Sequence, residues 1–343
     1  MSECALSANY SSWMTDIHDV IKDRHLAELK IPGTHNSATS HISTSSKIGA
    51  DAYEELGDYR SKLLSAIMYI PWVDQQVVKL AKTHSKCISE QLYDGIRFFD
   101  LRVSLEDDNE FYATHSLLGA RYQDIFLEIR NFIEHHPKEL IILNFHYLYK
   151  KAENSQDRWF TVSECDQFMQ LVTSYLGKSL IPFVRARSDK RTLGELLDEG
   201  QVIIHMHKIT NRMRSQMNAL YQDKIWTDDS VKRSWKEASD CQTRITHMSD
   251  AAITRNNYHL NTIQVQSGAL TPTLGSIMRL ETYDLVEMAE RLNREIDVWL
   301  HTTEGQATNA LIIDHYDQTE GKKVVEHVIR MNCPTAFGEM KSD

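Results

Sequence analysis

Short apolar runs separated by amphipathic stretches dominate the pattern of the chain. Runs such as residues 140–143, Leu-Ile-Ile-Leu, show no alternation with polar residues, which is typical of strands covered on both faces in a parallel sheet. The strands predicted in this way are Ala27–Ile31, Ile96–Val103, Phe111–Thr114, Leu140–Phe145, Val202–Met206, Thr262–Val265 and Ala310–Ile313.

Apolar residues at helical spacing lie between several of these strands and predict amphipathic helices over residues 122–133, 285–296 and 324–329. Alternating strands and helices over this length predict an α/β fold and favour a barrel of the (β/α)8 kind. Periodicity alone leaves an open doubly wound sheet as the alternative. No Ser/Gly- or Pro-rich linker divides the chain, so a single catalytic domain over residues 1–343 is expected.

Two long segments interrupt the alternation. Residues 37–95 have a mostly helical pattern, and residues 208–260 are rich in Arg, Asn, Asp and Trp and predict helix and loop. Within a barrel core of about residues 28–332, insertions that follow a strand lie over the active face. Both segments are therefore expected above the site.

Charge and cysteine content narrow the choice of function and location. The formal net charge of −10 disfavours a nucleic-acid partner and general attraction to anionic membranes. No apolar run is long enough to span a bilayer, and residues 1–13 show no secretory signal. The five dispersed cysteines predict free thiols in a reducing compartment, and so a cytoplasmic protein.

Polar side chains cluster where the predicted strands end. Because the carboxyl ends of parallel strands open on one face of a barrel, these side chains are expected to converge there. In chain order they are His35, Asn36, Asp100, Arg102, His115, Asn144, His146, His205, His207, Gln264, Gln266 and Asp314.

Each of these residues taken singly also has a purely structural explanation. A given histidine among 16 is more often a surface or hydrogen-bonded core residue, and Asp100 and Arg102 could form a structural ion pair. Asp314 could simply end a strand. The His205-x-His207 pair could instead bind a metal ion.

Three ordered motifs resemble the catalytic X region of phosphatidylinositol-specific phospholipases C. They are IPGTHNS at residues 31–37, GIRFFDLRV at residues 95–103, and Thr114-His115. The resemblance covers about residues 28–332 and includes both the small eukaryotic X-domain-containing proteins and the secreted bacterial enzymes. It implies a distorted TIM-type barrel and a phosphodiesterase that releases diacylglycerol and leaves a cyclic inositol phosphate.

The resemblance also implies roles for individual residues. His35 matches the general base that removes the proton of the inositol 2-hydroxyl, and His115 matches the general acid that protonates the leaving oxygen. Asp314 falls where the family has a carboxylate that orients the base. Imidazole groups suit both roles because their unperturbed pKa is about 6.5.

The spacing Asp100-x-Arg102 matches the calcium-independent members of the family, whereas the large signalling phospholipases have Glu-x-Asp here. The guanidinium of Arg102 then contacts the phosphate in place of a cation, and Asp100 holds Arg102 or His115. Accordingly, neither a metal nor a cofactor is expected. Asn36, His146 and His207 are the expected substrate-binding residues, with both histidines at positions where bacterial members have Lys or Arg.

The expected partner is a phosphoinositide or a related phosphodiester lipid, reached by a monomer through transient contact with the membrane surface. Residues 68–73, Met-Tyr-Ile-Pro-Trp-Val, are a candidate contact, with Lys79, Lys82 and Lys86 nearby. Packing of these apolar residues on the barrel is the favoured explanation.

Two alternative functions stay open. One is a metal-dependent glycerophosphodiester phosphodiesterase on the same barrel, which loss of activity in EDTA would support. The other is a catalytically weak phosphoinositide-binding module, although binding alone does not require an acid and a base.

Overall fold

The computed structural model describes residues 10–70, 72–152, 158–184, 190–234, 241–253, 260–264 and 285–333. Over these ranges the strands are β1 Ile31–Thr34, β2 Phe98–Leu105, β3 Phe111–His115, β4 Leu117–Arg121, β5 Ile141–Lys150, β6 Val202–Met206, β7 Ile225–Trp226, β8 Val231–Ser234, β9 Leu260–Gln264 and β10 Ala310–Ile313. The helices are α1 Trp13–Asp16, α2 His18–Ile21, α3 Ala50–Leu56, α4 Asp58–Ile67, α5 Val73–Ala81, α6 Ile88–Tyr93, α7 Tyr122–His135, α8 Val162–Leu176, α9 Leu193–Glu199, α10 Asn211–Gln216, α11 Ala219–Gln222, α12 Cys241–Ile253, α13 Leu285–Trp299, α14 Thr303–Gln306 and α15 Thr319–Arg330.

The main sheet is parallel and curled. Its strand order is β7-β6-β5-β2-β1-β10-β9-β8, and each neighbouring pair in this order is parallel. The two edge strands are joined by residues 227–230, a link that spans at most about 18 Å. A flat sheet of this width would separate its edges by about 34 Å. The sheet therefore curls into the predicted distorted barrel.

A hairpin replaces one of the predicted barrel strands. β3 runs antiparallel to β2 and pairs with β4, outside the order of the parallel strands. Only residues 106–110 link β2 to β3, which is enough for a turn but too short for the crossover that a parallel strand needs. The prediction that His115 ends a parallel strand is therefore wrong.

Two further predictions of secondary structure require correction. The first strand was expected at Ala27–Ile31, but Leu26–Glu28 form a 3-10 turn and β1 begins at Ile31. The second insertion, residues 208–260, contains β7 and β8 as well as helices. β7 has only two residues and β8 is mostly polar, so neither shows a periodicity that the sequence could reveal. The first insertion is helical as expected.

Two apolar clusters hold the described part of the chain together. The larger one contains the barrel strands and the helices around them, from Trp13 to Cys333. The smaller one lies in the first insertion and includes Val73, Val77 and Ala81 of α5, packed with Leu117 of β4. The first insertion is therefore anchored on the hairpin that carries His115.

The state of the cysteines bears on the expected cellular compartment, and the helices bear on whether the chain could cross a membrane. Cys333 is disulfide-bonded, whereas Cys87 and Cys165 are free thiols. The prediction that all five cysteines are free is therefore wrong for Cys333. Disulfides are rare in reducing compartments, so the cysteines no longer favour the cytoplasm. In the ranges above, every helix is too short or too polar to cross a bilayer.

Candidate active site

His35 follows β1 at the carboxyl end of the barrel and is hydrogen-bonded to a buried carboxylate. Its Nδ1 lies 2.8 Å from Oδ1 of Asp314, which follows β10, the strand paired with β1. Both side chains are buried, at 3% and 4% exposure. Burial alone raises the pKa of Asp314, but the charge and the hydrogen bond of His35 outweigh it and lower this pKa. A carboxylate that accepts from Nδ1–H leaves Nε2 of His35 as the basic nitrogen.

His115 faces His35 from the end of β3. The two ring centroids are 6.4 Å apart, with an angle of 71° between the rings. Nδ1 of His115 donates to the carbonyl oxygen of Ala81, at 2.8 Å, because a carbonyl can only accept. The last residue of α5 thus orients the ring.

Arg102 lies on β2 and contacts two side chains at the mouth. Its Nη1 is 3.9 Å from Oδ2 of Asp51, and its guanidinium stacks 4.9 Å from the ring centroid of Tyr147. The β2–β5 register shifts at His146, so that Leu101 pairs with Phe145 but Arg102 pairs with Tyr147. This bulge brings the tyrosine ring beneath the arginine.

The sequence suggested that Asp100 holds Arg102 or His115, but its contacts in the structure are with other residues. Its Oδ1 accepts from Nδ2 of Asn144 at 2.8 Å and lies 3.9 Å from Nδ1 of His146. Oδ2 of Asp100 is buried and has no hydrogen-bond partner among the described residues.

Arg233 of β8 brings a cation to the mouth that the sequence had not revealed. Its Nη2 donates to Nδ1 of His146 and to Oε1 of Gln264, both at 3.0 Å. Burial, followed by the nearby charges of Arg233 and Arg102, lowers the pKa of His146 well below its usual value. His146 is therefore neutral, and Arg233 supplies the positive charge expected from His146. Gln266 lies outside the described residues.

His207 and His205 both contact the carboxylate of Asp228. Nδ1 of His207 is 2.9 Å and Nε2 of His205 is 3.3 Å from Oδ1 of Asp228, and His205 Nδ1 also contacts Oδ1 of Asn144. Burial alone raises the pKa of Asp228, but the hydrogen bonds of His205 and His207 lower it overall. Within the described ranges no group of three His, Cys, Asp or Glu side chains is arranged to hold a metal ion.

Asn36 is a buried amide beside the base. Only 2% of the residue is exposed, its backbone has a φ of +45°, and neither polar atom of its side chain has a hydrogen-bond partner in the described part of the chain. A buried amide without partners is unfavourable by about 1–3 kcal/mol, so it is suited to contact a polar ligand.

The structure brings the eight sequence-predicted site residues into one neighbourhood and adds Asp51 and Arg233. Their neighbourhood contains His35, Asp314, His115, Arg102, Asp100 and His146, with Asn36 next to the base and His207 at a ring distance of 5.1 Å from His146. Asp51 has the appearance of an ordinary acidic residue in a first helical turn, and Arg233 lies on a four-residue strand. Neither leaves a distinctive sequence signal.

Comparisons with known structures agree with this fold. The phosphatidylinositol-specific phospholipase C of Staphylococcus aureus superposes with a TM-score of 0.59 at 16% identity, covering 93% of this chain and 98% of that one. The enzyme of the same name from Listeria monocytogenes gives a TM-score of 0.54 at 16% identity, over 94% and 99% of the two chains. Identity at this level supports the fold alone.

Sequence comparison identifies the family. No family model matches the chain. PI-PLC X domain-containing protein 3 of Danio rerio is 25% identical over 328 residues, 94% of this chain and 93% of the relative. PI-PLC X domain-containing protein 2 of Mus musculus is 31% identical over 277 residues, 78% of this chain and 72% of the relative. The chain therefore belongs to the PI-PLC X domain-containing proteins.

Proposed function

We propose that this chain cleaves phosphatidylinositol-type lipids, with His35 as general base and His115 as general acid. The observation that carries the proposal is the His35–Asp314 hydrogen bond of 2.8 Å opposite the ring of His115. A ring nitrogen must come within about 2.6–3.2 Å of the atom whose proton it transfers. Rings 6.4 Å apart can therefore contact one phosphodiester group from two sides.

In this mechanism Nε2 of His35 removes the proton of the inositol 2-hydroxyl, and that oxygen attacks phosphorus. The bond from phosphorus to the diacylglycerol oxygen breaks, and His115 protonates the leaving oxygen. Asp314 stabilises the imidazolium formed on His35. Arg102 stabilises charge on the phosphate, and Asn36 donates to a phosphate oxygen.

The inositol ring is proposed to lie over His146, His207 and Arg233. Arg233 is mostly buried, and burial lowers its pKa, although a guanidinium stays charged near neutral pH. Its hydrogen bonds to His146 and Gln264 fix its position at the mouth. The neutral His146 and the His207–Asp228 pair offer hydrogen bonds to hydroxyl groups.

The proposed membrane contact lies at the start of α5. Tyr69 is 88% and Trp72 is 40% exposed, while Val73 is buried, so the expectation that the whole stretch packs on the barrel is wrong for the aromatic residues. Pro71 lies outside the described residues. The nine residues of α5 run about 14 Å from Trp72 to Ala81, which holds His115. Lys86 pairs with Asp94 and contributes less than Lys79 and Lys82.

The residues 1–343 are proposed to act as one catalytic domain, supported by the apolar cluster from Trp13 to Cys333.

Phosphorus NMR of the product tests the proposed reaction. We expect a cyclic inositol phosphate as the first product, formed at the same rate with and without EDTA. An acyclic first product, or loss of turnover in EDTA, would instead support a metal-dependent phosphodiesterase. Lipid binding without turnover would support the binding module.

A further inference from the structure

Asp51 is a buried carboxylate that the mechanism above does not use. It lies in the first turn of α3, within the first insertion, and its side chain is fully buried. Oδ1 accepts from the hydroxyl of Thr114 at 2.5 Å, and Oδ2 accepts from the backbone N–H of Ser116 at 2.7 Å. Asp51 thus binds the residue on each side of His115.

The same carboxylate faces Arg102. Oδ2 of Asp51 lies 3.9 Å from Nη1 of Arg102, so one side chain links the general acid of the proposed mechanism to its phosphate-binding cation. A buried carboxylate beside a buried guanidinium offsets the cost of taking either charge out of water. Because Asp51 is fully buried, salt screens its attraction to Arg102 much less than it would at the surface.

Backbone geometry at the turn indicates that the contact is specifically built. Ser116 has a φ of +60°, a conformation that a non-glycine residue adopts only when its surroundings hold it there. Its carbonyl oxygen accepts from the N–H of Gly49 at 3.0 Å. A Cβ atom at Gly49 would lie 2.1 Å from Oγ1 of Thr114 and 2.8 Å from Oδ1 of Asp51. The helix therefore approaches the turn this closely only with glycine at position 49.

We propose that Asp51 is a positioning residue that fixes the turn of His115 and the guanidinium of Arg102 as one unit. This inference rests on the proposed roles of His115 and Arg102. Its consequence is that the helical insertion, and not the barrel alone, sets the geometry of leaving-group protonation. Misplacement of a catalytic group by about 1 Å costs on the order of 10²-fold in rate, so the effect is measurable.

Two substitutions separate charge from shape. Asp51→Asn keeps the size of the side chain, but it removes the charge opposite Arg102 and one of the two acceptor oxygens. An amide oxygen that accepts from Ser116 turns the NH2 group towards the hydroxyl of Thr114, which then loses its acceptor beside His115. Asp51→Ala removes both. Asp297→Asn is the matched control, because that carboxylate accepts from Nδ1 of His327 at 2.8 Å on the helices α13 and α15.

The test compares two soluble inositol phosphodiesters, one with a hexyl and one with a p-nitrophenyl leaving group. An aryl oxide leaves without protonation, whereas an alkoxide needs the general acid. For Asp51→Asn we expect kcat on the hexyl substrate to fall at least about tenfold more than on the aryl substrate, with Asp51→Ala worse and Asp297→Asn unchanged. Equal losses on both substrates would overturn the proposal. His115→Ala calibrates the comparison, because the absence of leaving-group selectivity there would contradict the role of His115 itself.

Histidine side-chain NMR tests the proposal independently of turnover. In the wild type the Nδ1 proton of His115, donated to Ala81, should exchange slowly. We expect this signal to be lost and the ring signals of His115 to shift in Asp51→Asn, while Asp297→Asn leaves them in place. Unchanged His115 signals in Asp51→Asn would overturn the positioning role even in a chain without activity.

Discussion

Two arginines at opposite ends of β2 show how differently the barrel treats a buried charge. Arg97, just before the strand, donates five hydrogen bonds, two to Glu139 and three to backbone carbonyls, and both members of this ion pair are fully buried. Arg102, near the other end, meets Asp51 at 3.9 Å and lies over the ring of Tyr147. Arginine is thus fully hydrogen-bonded where the barrel strands begin, which we call the closed end. It faces the mouth on the side where the strands end, which we call the open end.

The difference extends to the polar groups around each arginine. Glu139 also accepts from the backbone N–H of Met14 and Thr15 and from the hydroxyl of Thr15, which leaves no room for a ligand. At the mouth, the amide of Asn36 and one oxygen of Asp100 have no hydrogen-bond partner among the described residues. Unsatisfied buried polar groups reduce stability, so the two groups at the mouth, beside His35 and His146, are suited to bind a polar ligand.

The largest expected effect is a loss of stability from a substitution at the closed end. Glu139→Gln leaves the buried guanidinium of Arg97 without its counter-charge, which should lower the free energy of unfolding by about 3–5 kcal/mol. Urea unfolding measures this loss. Activity per folded molecule should stay at the wild-type level, and a loss of kcat beyond the folded fraction would remove the distinction between the two ends.

Arg102→Lys is the converse substitution at the open end. Lysine keeps the charge but loses the planar fork and the stacking on Tyr147, so kcat should fall on the order of 10²–10³-fold. The free energy of unfolding should change by less than about 1 kcal/mol. Steady-state kinetics with urea unfolding measure both quantities, and a mainly structural Arg102 would give the opposite pattern.

His84, which is hydrogen-bonded to the backbone of His35, makes the stability of the protein depend on pH. Its Nε2 donates to the carbonyl oxygen of His35 at 2.9 Å, and burial lowers the pKa of His84 to about 4, while Asp314 and Asp317 oppose the shift and His315 adds to it. Between pH 6.5 and 4, His84 therefore binds a proton in the unfolded chain but not in the native state. Stability is therefore fully present above pH 6.5 and falls as the pH drops toward 4.

The non-titrating variant His84→Gln isolates this term, since its amide can still donate to His35. Between pH 6.5 and 4 the wild type should lose about 2–3 kcal/mol more stability than the variant, at about 1.4 kcal/mol per pKa unit. Chemical unfolding at a series of pH values measures the difference. Parallel curves for the two proteins would show that His84 does not titrate in this window.

The smallest expected effect is at the membrane contact. Trp72→Ala should weaken binding to phosphatidylinositol vesicles about tenfold, because an exposed indole partitions into the headgroup region. Turnover of a soluble substrate should be unchanged, since Trp72 lies about 14 Å from the end of α5 that holds His115. Vesicle sedimentation and soluble-substrate kinetics provide the two readouts, and equal losses in both would contradict a purely interfacial role.

Sequence patterns predicted the barrel because its inner strands are continuous apolar runs, such as residues 141–143 in β5. They missed β7 because two residues are too few to show a period, and β8 because its four residues include Lys232, Arg233 and Ser234. The motifs located His35, His115 and Arg102 along the chain, and the wider resemblance located Asp314. Asp51 and Arg233 could not be found in this way, because their proximity to the site depends on how the insertions fold back on the barrel.

The central claim is that His35 and His115 act as one acid–base pair. Its most direct test is the kcat of His35→Ala, His115→Ala and the double variant on one soluble inositol phosphodiester, with folding checked by circular dichroism. Each single variant should lose about 10²–10⁴-fold, and the double variant should be far less impaired than the product of the two losses, because the residues act as a unit. Retention of more than about a tenth of wild-type activity in either folded single variant would contradict the account.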